Sequence, residues 1–177
     1  MYTLIADSGS TKTDWRLAGP GGQLHQAQTE GYNPYYISED DMAAGLRKHL
    51  QPQLMSLGVN TVQQVFFYGA GCANEEKCKT VSAAIRSVFR PDLVEVHSDM
   101  LGAARALCGR RAGIAAILGT GSNSCFYDGN QIVSARPSLG YVLGDEGSGA
   151  HLGKQLVRAF LYGDLPREAV FGTLRAG

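Results

Sequence analysis

Apolar and polar positions change period several times along the chain. Residues 2–6 are an apolar run of strand length that ends at Asp7. Residues 13–18 alternate and read as its hairpin partner, and Gly19-Pro20-Gly21-Gly22 is a turn. Residues 23–29 supply a third, more polar strand. Ser38 then opens a helix, with Asp41 completing an S-x-x-D box. Met42, Leu46, Leu50, Leu54 and Leu57 recur at helical spacing, Pro52 predicts a break or kink, and Gly58 closes the pattern. Residues 62–68 predict a strand ending in Gly69-Ala70-Gly71. Asn74 caps a helix to about Phe89 with Val81, Ile85 and Val88 inward, stopped by Pro91. A short strand at 93–97 leads into a helix opened by Ser98-Asp99 and stopped by Gly109. Residues 114–118 form a further apolar run. Residues 124–127 and 131–135 read as a hairpin around Asp128-Gly129-Asn130, and a helix spans about 148–162.

The order is β-β-β-α-β-α-β-α, then β-β-β-loop-α. It predicts an α/β fold: a mixed five-stranded sheet flanked by helices, followed by the start of a second, similar domain. The strand–turn–strand unit at the amino end recurs near Ile114, a coarse internal repeat. The expected division is residues 1–112 and 113–177.

Composition narrows the function. The 177 residues carry 16 basic and 16 acidic side chains, a net charge of zero. That excludes binding to nucleic acid or to an anionic membrane through a basic surface. No apolar run approaches the 18 residues of a membrane span, and no basic segment precedes an apolar one as in an export signal. Cys72, Cys78, Cys108 and Cys125 form no C-x-x-C pair, so reduced thiols in a cytoplasmic protein are expected. The four histidines form no metal-binding pair and read as structural.

Three segments carry chemistry. Asp7-Ser8-Gly9-Ser10-Thr11-Lys12-Thr13-Asp14 joins two strands by a turn whose amides and hydroxyls suit phosphate oxygens. A carboxylate beside them repels phosphate unless a divalent cation intervenes, so the combination suggests Mg-nucleotide; a polar hairpin turn is the plain alternative. Gly119-Thr120-Gly121-Ser122 occupies the equivalent place in the repeat, and two such turns facing each other would grip a triphosphate. Asp99 follows a strand and starts a helix, where a carboxylate either complements the helix dipole or serves as a base. Ligands of open α/β sheets bind beyond the carboxyl ends of strands, where Asp7, Gly69, Asp99 and Gly119 all fall. In Leu143-Gly144-Asp145-Glu146-Gly147-Ser148-Gly149, two adjacent carboxylates suit either a metal loop, though without EF-hand spacing, or a loop from which Asp145 reaches a polyhydroxylated ligand. Asn33 is a polar point held before Pro34.

Together these segments resemble the N-acetylglucosamine kinase and BadF-type ATPase family of the actin–hexokinase–Hsp70 superfold, with its ribonuclease H-like sheet. Residues 7–13, Gly119-Thr120-Gly121-Ser122-Asn123, Gly31-Tyr32-Asn33-Pro34, Asp99 with Gly102-Ala103-Ala104, and residues 143–149 carry the match. The resemblance implies ATP and Mg²⁺ as cofactors, with catalysis in an interdomain cleft. Gly9, Ser10, Thr11, Lys12, Thr13, Gly119, Thr120, Gly121 and Ser122 would contact the ATP phosphates, and Asp7 would place Mg²⁺. Asp99 would be the base for the sugar 6-hydroxyl, Asn33 and Asp145 would bind the sugar, and Leu139-Gly140 would line it. The partner is then a small amino sugar, N-acetylglucosamine or glucosamine, and a homodimer is compatible. Pro137-Ser138-Leu139-Gly140 replaces a Gly-Gly-Trp-Gly common in the family. The family continues for another hundred or so residues that hold the adenosine site, so the chain is expected to be a truncated form that lacks that site. Rival readings are an ATPase that activates a partner enzyme, and a sugar- or nucleotide-binding module without chemistry.

Overall fold

The structure is a computed structural model in which residues 1–165 are described. The chain divides into two compact units, Met1–Ala106 and Leu107–Gly177. The division falls inside a helix, a few residues before the 112/113 boundary expected from the sequence.

The first unit is built on a five-stranded mixed sheet. Its strands are β1 (Thr3–Ser8), β2 (Lys12–Ala18), β3 (Leu24–Glu30), β4 (Gln64–Gly69) and β5 (Leu93–Ser98), in the order β3-β2-β1-β4-β5. β1, β2 and β3 pair antiparallel; β1–β4 and β4–β5 are parallel. The register sets Ser8 beside Gly69 and Gly69 beside Ser98, so β1, β4 and β5 all end at one rim. The residues that follow, Gly9, Ala70 and Asp99, therefore emerge side by side. Strand side chains alternate between faces, and Leu4, Ala6 and Ser8 of β1 point into the core. Trp15, Leu17, Val65 and Phe67 join them, with the Trp15 and Phe67 rings 6.0 Å apart and tilted by 59°. The buried Trp15 indole donates to Thr29 Oγ1 at 2.9 Å.

The helix opened by Ser38 is interrupted in a way periodicity does not reveal. It comprises α1 (Glu39–Gly45), one π-turn (Leu46–Leu50) and α2 (Gln51–Ser56). Met42, Leu46, Leu50 and Leu54 are spaced by four, and in a straight α-helix each step drifts about 40° around the axis. A π-turn holds one more residue than an α-turn and takes up that drift. All four side chains stay at most 2% exposed. Pro52 sits in the first turn of α2, where its missing N–H does little harm, so the break expected there is absorbed by the π-turn. Leu57, expected on the same face, lies beyond the last turn and is exposed.

Helix α3 (Glu75–Phe89) is capped by Asn74, which accepts from the Lys77 amide at 2.9 Å, and it buries Val81, Ala84 and Ile85. Helix α4 (Asp99–Cys108) starts directly at the end of β5.

The second unit repeats the opening of the first. Strands β6 (Gly113–Leu118), β7 (Ser122–Tyr127) and β8 (Ile132–Ala135) pair antiparallel in the order β6-β7-β8, as β1-β2-β3 do. β7 begins two residues earlier than the hydrophobic pattern suggested, which shortens the preceding turn to three residues. A short helix α5 (Gly140–Leu143), not expected from the sequence, precedes α6 (Gly149–Tyr162). Among the described residues no helix is long and apolar enough to cross a membrane.

Candidate functional site

The candidate residues fall into two sets, one in each unit. In the first unit they gather at the rim where β1, β4 and β5 end. The turn between β1 and β2 is closed by the Gly9 amide donating to the Lys12 carbonyl at 2.9 Å, which leaves Ser10 and Thr11 exposed at its tip. Lys12 Nζ lies 2.8 Å from Asp14 Oδ2 with its side chain largely in solvent, a pairing weak enough for an incoming anion to displace.

Thr13 stands apart from its neighbours. It is fully buried, and its hydroxyl donates to the Glu30 carbonyl at 2.9 Å. That proton being spent, the Ser8 hydroxyl must donate to Thr13 Oγ1, 2.7 Å away, and it accepts from the Tyr32 amide at 3.1 Å. The sequence grouped Thr13 with the phosphate-contacting residues; its side chain instead braces the hairpin from within. The same relay fastens Tyr32 to the end of β1.

Asp99 is half-buried at the start of α4. Its Oδ1 accepts from the Met100 amide at 2.8 Å, and Ser98 Oγ accepts from Leu101 N at 3.4 Å. Burial raises the carboxyl pKa above the ordinary aspartate value; the Met100 hydrogen bond opposes this, and the negative charge of Asp7 adds to the rise. Asp7 and Asp99 are thus electrostatic neighbours on one rim, although they are 92 positions apart in the chain. Beside them runs the turn after β4. Ala70 donates to the Ser8 carbonyl at 2.8 Å and Cys72 to Gly69 at 3.2 Å. Burial pushes the Cys72 thiol up to about 12, with smaller contributions from Cys78 and Asp99. Asn33 sits against the same turn at Gly71.

In the second unit the turn Gly119-Thr120-Gly121 is held from below by the loop before α6. Asp145, itself at φ +59°, accepts from the Ser122 amide at 3.1 Å, and Ser122 Oγ donates to the Glu146 carbonyl at 3.0 Å. A Cβ on Gly121 would lie 3.0 Å from the Asp145 carboxylate. The sequence placed Asp145 with the sugar; here it also supports the turn assigned to phosphate. The first amides of α6 are all used: Gly149 donates to Gly119, Ala150 to Thr120, and His151 to the capping Ser148 hydroxyl. This helix end therefore anchors the turn and offers no free amide to an anion. Leu139 is exposed, and Gly140, at φ +68°, opens α5.

Sequence reasoning missed the part played by Gly31. A Cβ there would collide with the Gly9 carbonyl and lie 2.5 and 2.6 Å from the carbonyl carbon and oxygen of Ser10. Gly102 likewise lets α4 approach Tyr68 of β4, whose ring a Cβ would meet at 2.9 Å. Nothing in a single sequence marks these long-range contacts, beyond the presence of glycine in the motifs already quoted.

Among the described residues no group of three or more histidine, cysteine or acidic side chains is placed to hold a metal. Mg²⁺ bound with a nucleotide needs only one or two carboxylates, the rest being phosphate and water oxygens. Exposed Asp7, beside the open turn and opposing the charge of Asp99, fits that requirement.

No family model and no curated protein matches the chain. Solved structures do. A candidate N-acetylglucosamine kinase from Porphyromonas gingivalis is 45% identical, with a TM-score of 0.89 over 98% of this chain and 61% of that one. A candidate N-acetylglucosamine kinase from Chromobacterium violaceum is 22% identical, with a TM-score of 0.69 over 92% of this chain and 59% of that one. A ROK hexokinase from Thermus thermophilus, 14% identical, gives a TM-score of 0.56 over 91% and 65%. The chain thus spans about three fifths of the length of the first two. The resemblance to N-acetylglucosamine kinases holds over nearly the whole chain, and the fold is that of the actin-like ATPases.

Proposed function

We propose that this chain carries the acceptor and phosphate machinery of an ATP-dependent kinase. Its acceptor would be an amino-sugar hydroxyl, with N-acetylglucosamine or glucosamine at O6 as the first choice. The observation that carries the reading is the rim of the first unit, where a half-buried carboxylate of raised pKa, Asp99, stands by Asp7, the open turn at Ser10-Thr11 and the segment bearing Asn33. The resemblance to the Porphyromonas protein supports the choice of sugar.

In this reading the chain's residues position the reactants more than they react with them, as in-line phosphoryl transfer requires. Within the first unit Asn33 hydrogen-bonds the sugar. The amides and hydroxyls of Gly9, Ser10 and Thr11, with Lys12, cradle phosphate oxygens. Gly119, Thr120, Gly121 and Ser122 do the same in the second unit. Asp99 Oδ2 accepts the proton of the attacking hydroxyl while Oδ1 stays on the Met100 amide, which fixes the direction of the carboxylate. Asp7 would hold Mg²⁺, whose charge would offset that of the phosphates. A cytoplasmic setting accompanies this chemistry.

The test is ADP release by the protein across a panel of amino sugars, with wild type compared to Asp99→Asn. The variant keeps the oxygen that accepts from Met100 but removes the base. Turnover should fall by at least about 100-fold while sugar affinity survives. Undiminished turnover in Asp99→Asn would remove Asp99 from the role, and failure both to release ADP and to bind any amino sugar in calorimetric titration would remove the kinase reading.

A further inference from the structure

Asn33 closes an Asx turn and is confined on its other side by the turn after β4. Its side-chain Oδ1 accepts from the Tyr35 amide at 3.0 Å, and its main-chain carbonyl accepts from Tyr36 N at 2.9 Å and Ile37 N at 3.2 Å. Pro34, buried behind it, fixes the backbone between. On the other side stands Gly71, at φ +81° in the turn after β4. A Cβ on Gly71 would strike Asn33 Oδ1 and lie 3.0 Å from both Asn33 Cγ and Tyr35 Cδ2. The Tyr35 ring is flanked in turn by Lys77 Nζ, 5.1 Å from its centroid. The Gly71 turn does not drift, because Ala70 is bonded to the end of β1.

These contacts decide which way round the amide faces. Only the oxygen of Asn33 can accept from the Tyr35 N–H, so the carbonyl end is turned inward between Tyr35 and Gly71. The two N–H groups of Nδ2 are the ends left for a ligand. We infer that Gly71 is a positioning residue that presents Asn33 to the substrate purely as a hydrogen-bond donor. The matching substrate atom is an acceptor oxygen, from a sugar hydroxyl or an N-acyl carbonyl. This deepens the reading of Asn33 as a sugar contact and rests on it.

Two measurements separate the inference from the function it rests on. The first needs no ligand and follows hydrogen exchange of the Tyr35 amide in wild type, Gly71→Ala, Asn33→Ala and Asn33→Asp. Exchange should accelerate in the two alanine variants and stay protected in Asn33→Asp, which keeps an acceptor oxygen. A Tyr35 amide protected as in wild type in Gly71→Ala would overturn the inference. The second is calorimetric titration with N-acetylglucosamine. Gly71→Ala and Asn33→Ala should each weaken binding by about 10-fold, the worth of one hydrogen bond. The double variant should be no worse than Asn33→Ala alone, because with no amide present the added methyl has nothing to displace. Asn33→Asp should also bind poorly, its donor gone. Additive losses in the double variant, or wild-type affinity in Asn33→Asp, would each refute the assignment. Any melting-temperature loss from an alanine at positive φ persists in the Asn33→Ala background and is scored apart from affinity. If Gly71→Ala does not fold, the two Asn33 variants still decide the polarity of the contact. If wild type binds no amino sugar, the proposed function fails, and the Tyr35 exchange arm still decides how Asn33 is held.

Discussion

Gly31→Ala is the sharpest single test of how the β1–β2 turn is held. Gly31 is not among the residues at positive φ, so alanine meets no backbone strain there, and the whole effect must come from contact. The new methyl carbon would sit 2.5 Å from Ser10 C and 2.6 Å from Ser10 O, and closer still to the Gly9 carbonyl. Carbon contacts settle near 3.5 Å, so the tip of the β1–β2 turn must retreat by about 1 Å. The atoms in the way are backbone, with no rotamer to change, and the turn is tethered on its inner side by the Ser8, Thr13 and Tyr32 relay. Overpacking of this kind costs about 1–3 kcal/mol. For a chain of this length that lowers the melting temperature by roughly 2–4 °C per kcal/mol. With Ser10 and Thr11 holding phosphate as proposed, that retreat also weakens Mg-ATP binding, by about 10-fold for each hydrogen bond lost. Thermal melts and titration with Mg-ATP read the two consequences. A variant that melts with wild type and binds Mg-ATP as tightly would show that the turn is not seated on Gly31.

Other perturbations follow from the same geometry. Asp99 holds its proton more tightly folded than unfolded, so ionising it costs stability, and that cost grows as pH rises from the ordinary aspartate range through the raised folded value. Asp99→Asn should therefore melt above wild type at pH 7 and lose the advantage near pH 3; an advantage independent of pH would refute the assignment. The Cys72 thiol, pushed up to about 12 by burial, should resist iodoacetamide at pH 8 until the protein is unfolded, and labelling at the rate of an exposed thiol would contradict its placement. Gly153→Ala on α6 has nothing within 4 Å to meet, so it should stabilise by about 0.5–1 kcal/mol, read as a higher melting temperature. A fall would mean that this helix face is occupied.

Local chemistry carried most of the fold into the sequence. The Ser38 and Asn74 caps, the positive-φ Gly58 and the Asp128 turn are written in neighbouring residues, and each appears in the structure where its residues place it. The strand-end positions of Asp7, Gly69 and Asp99 were legible because a parallel sheet aligns its strand ends whatever the connections between them. The rest depends on partners distant in sequence. Pro52 reads as a break until the π-turn before it is seen to keep Leu54 in phase with Met42. Thr13 reads as a phosphate ligand until Ser8 and Glu30 are seen to use its hydroxyl. Asp145 reads as a sugar contact, and only the folded loop shows it on the Ser122 amide, 23 positions earlier.

Residues 31, 32 and 33 each lean on a different piece of the rim: Gly31 on the backbone of Ser10, the Tyr32 amide on Ser8, and Asn33 on Gly71. Under the proposed function, recognition of the acceptor and of the donor is carried by one short strut. Evolution cannot easily retarget such an enzyme by altering the strut, because a change that admits a new sugar also disturbs the grip on the nucleotide. Diversification of acceptor choice is steered toward exposed positions free of that double duty.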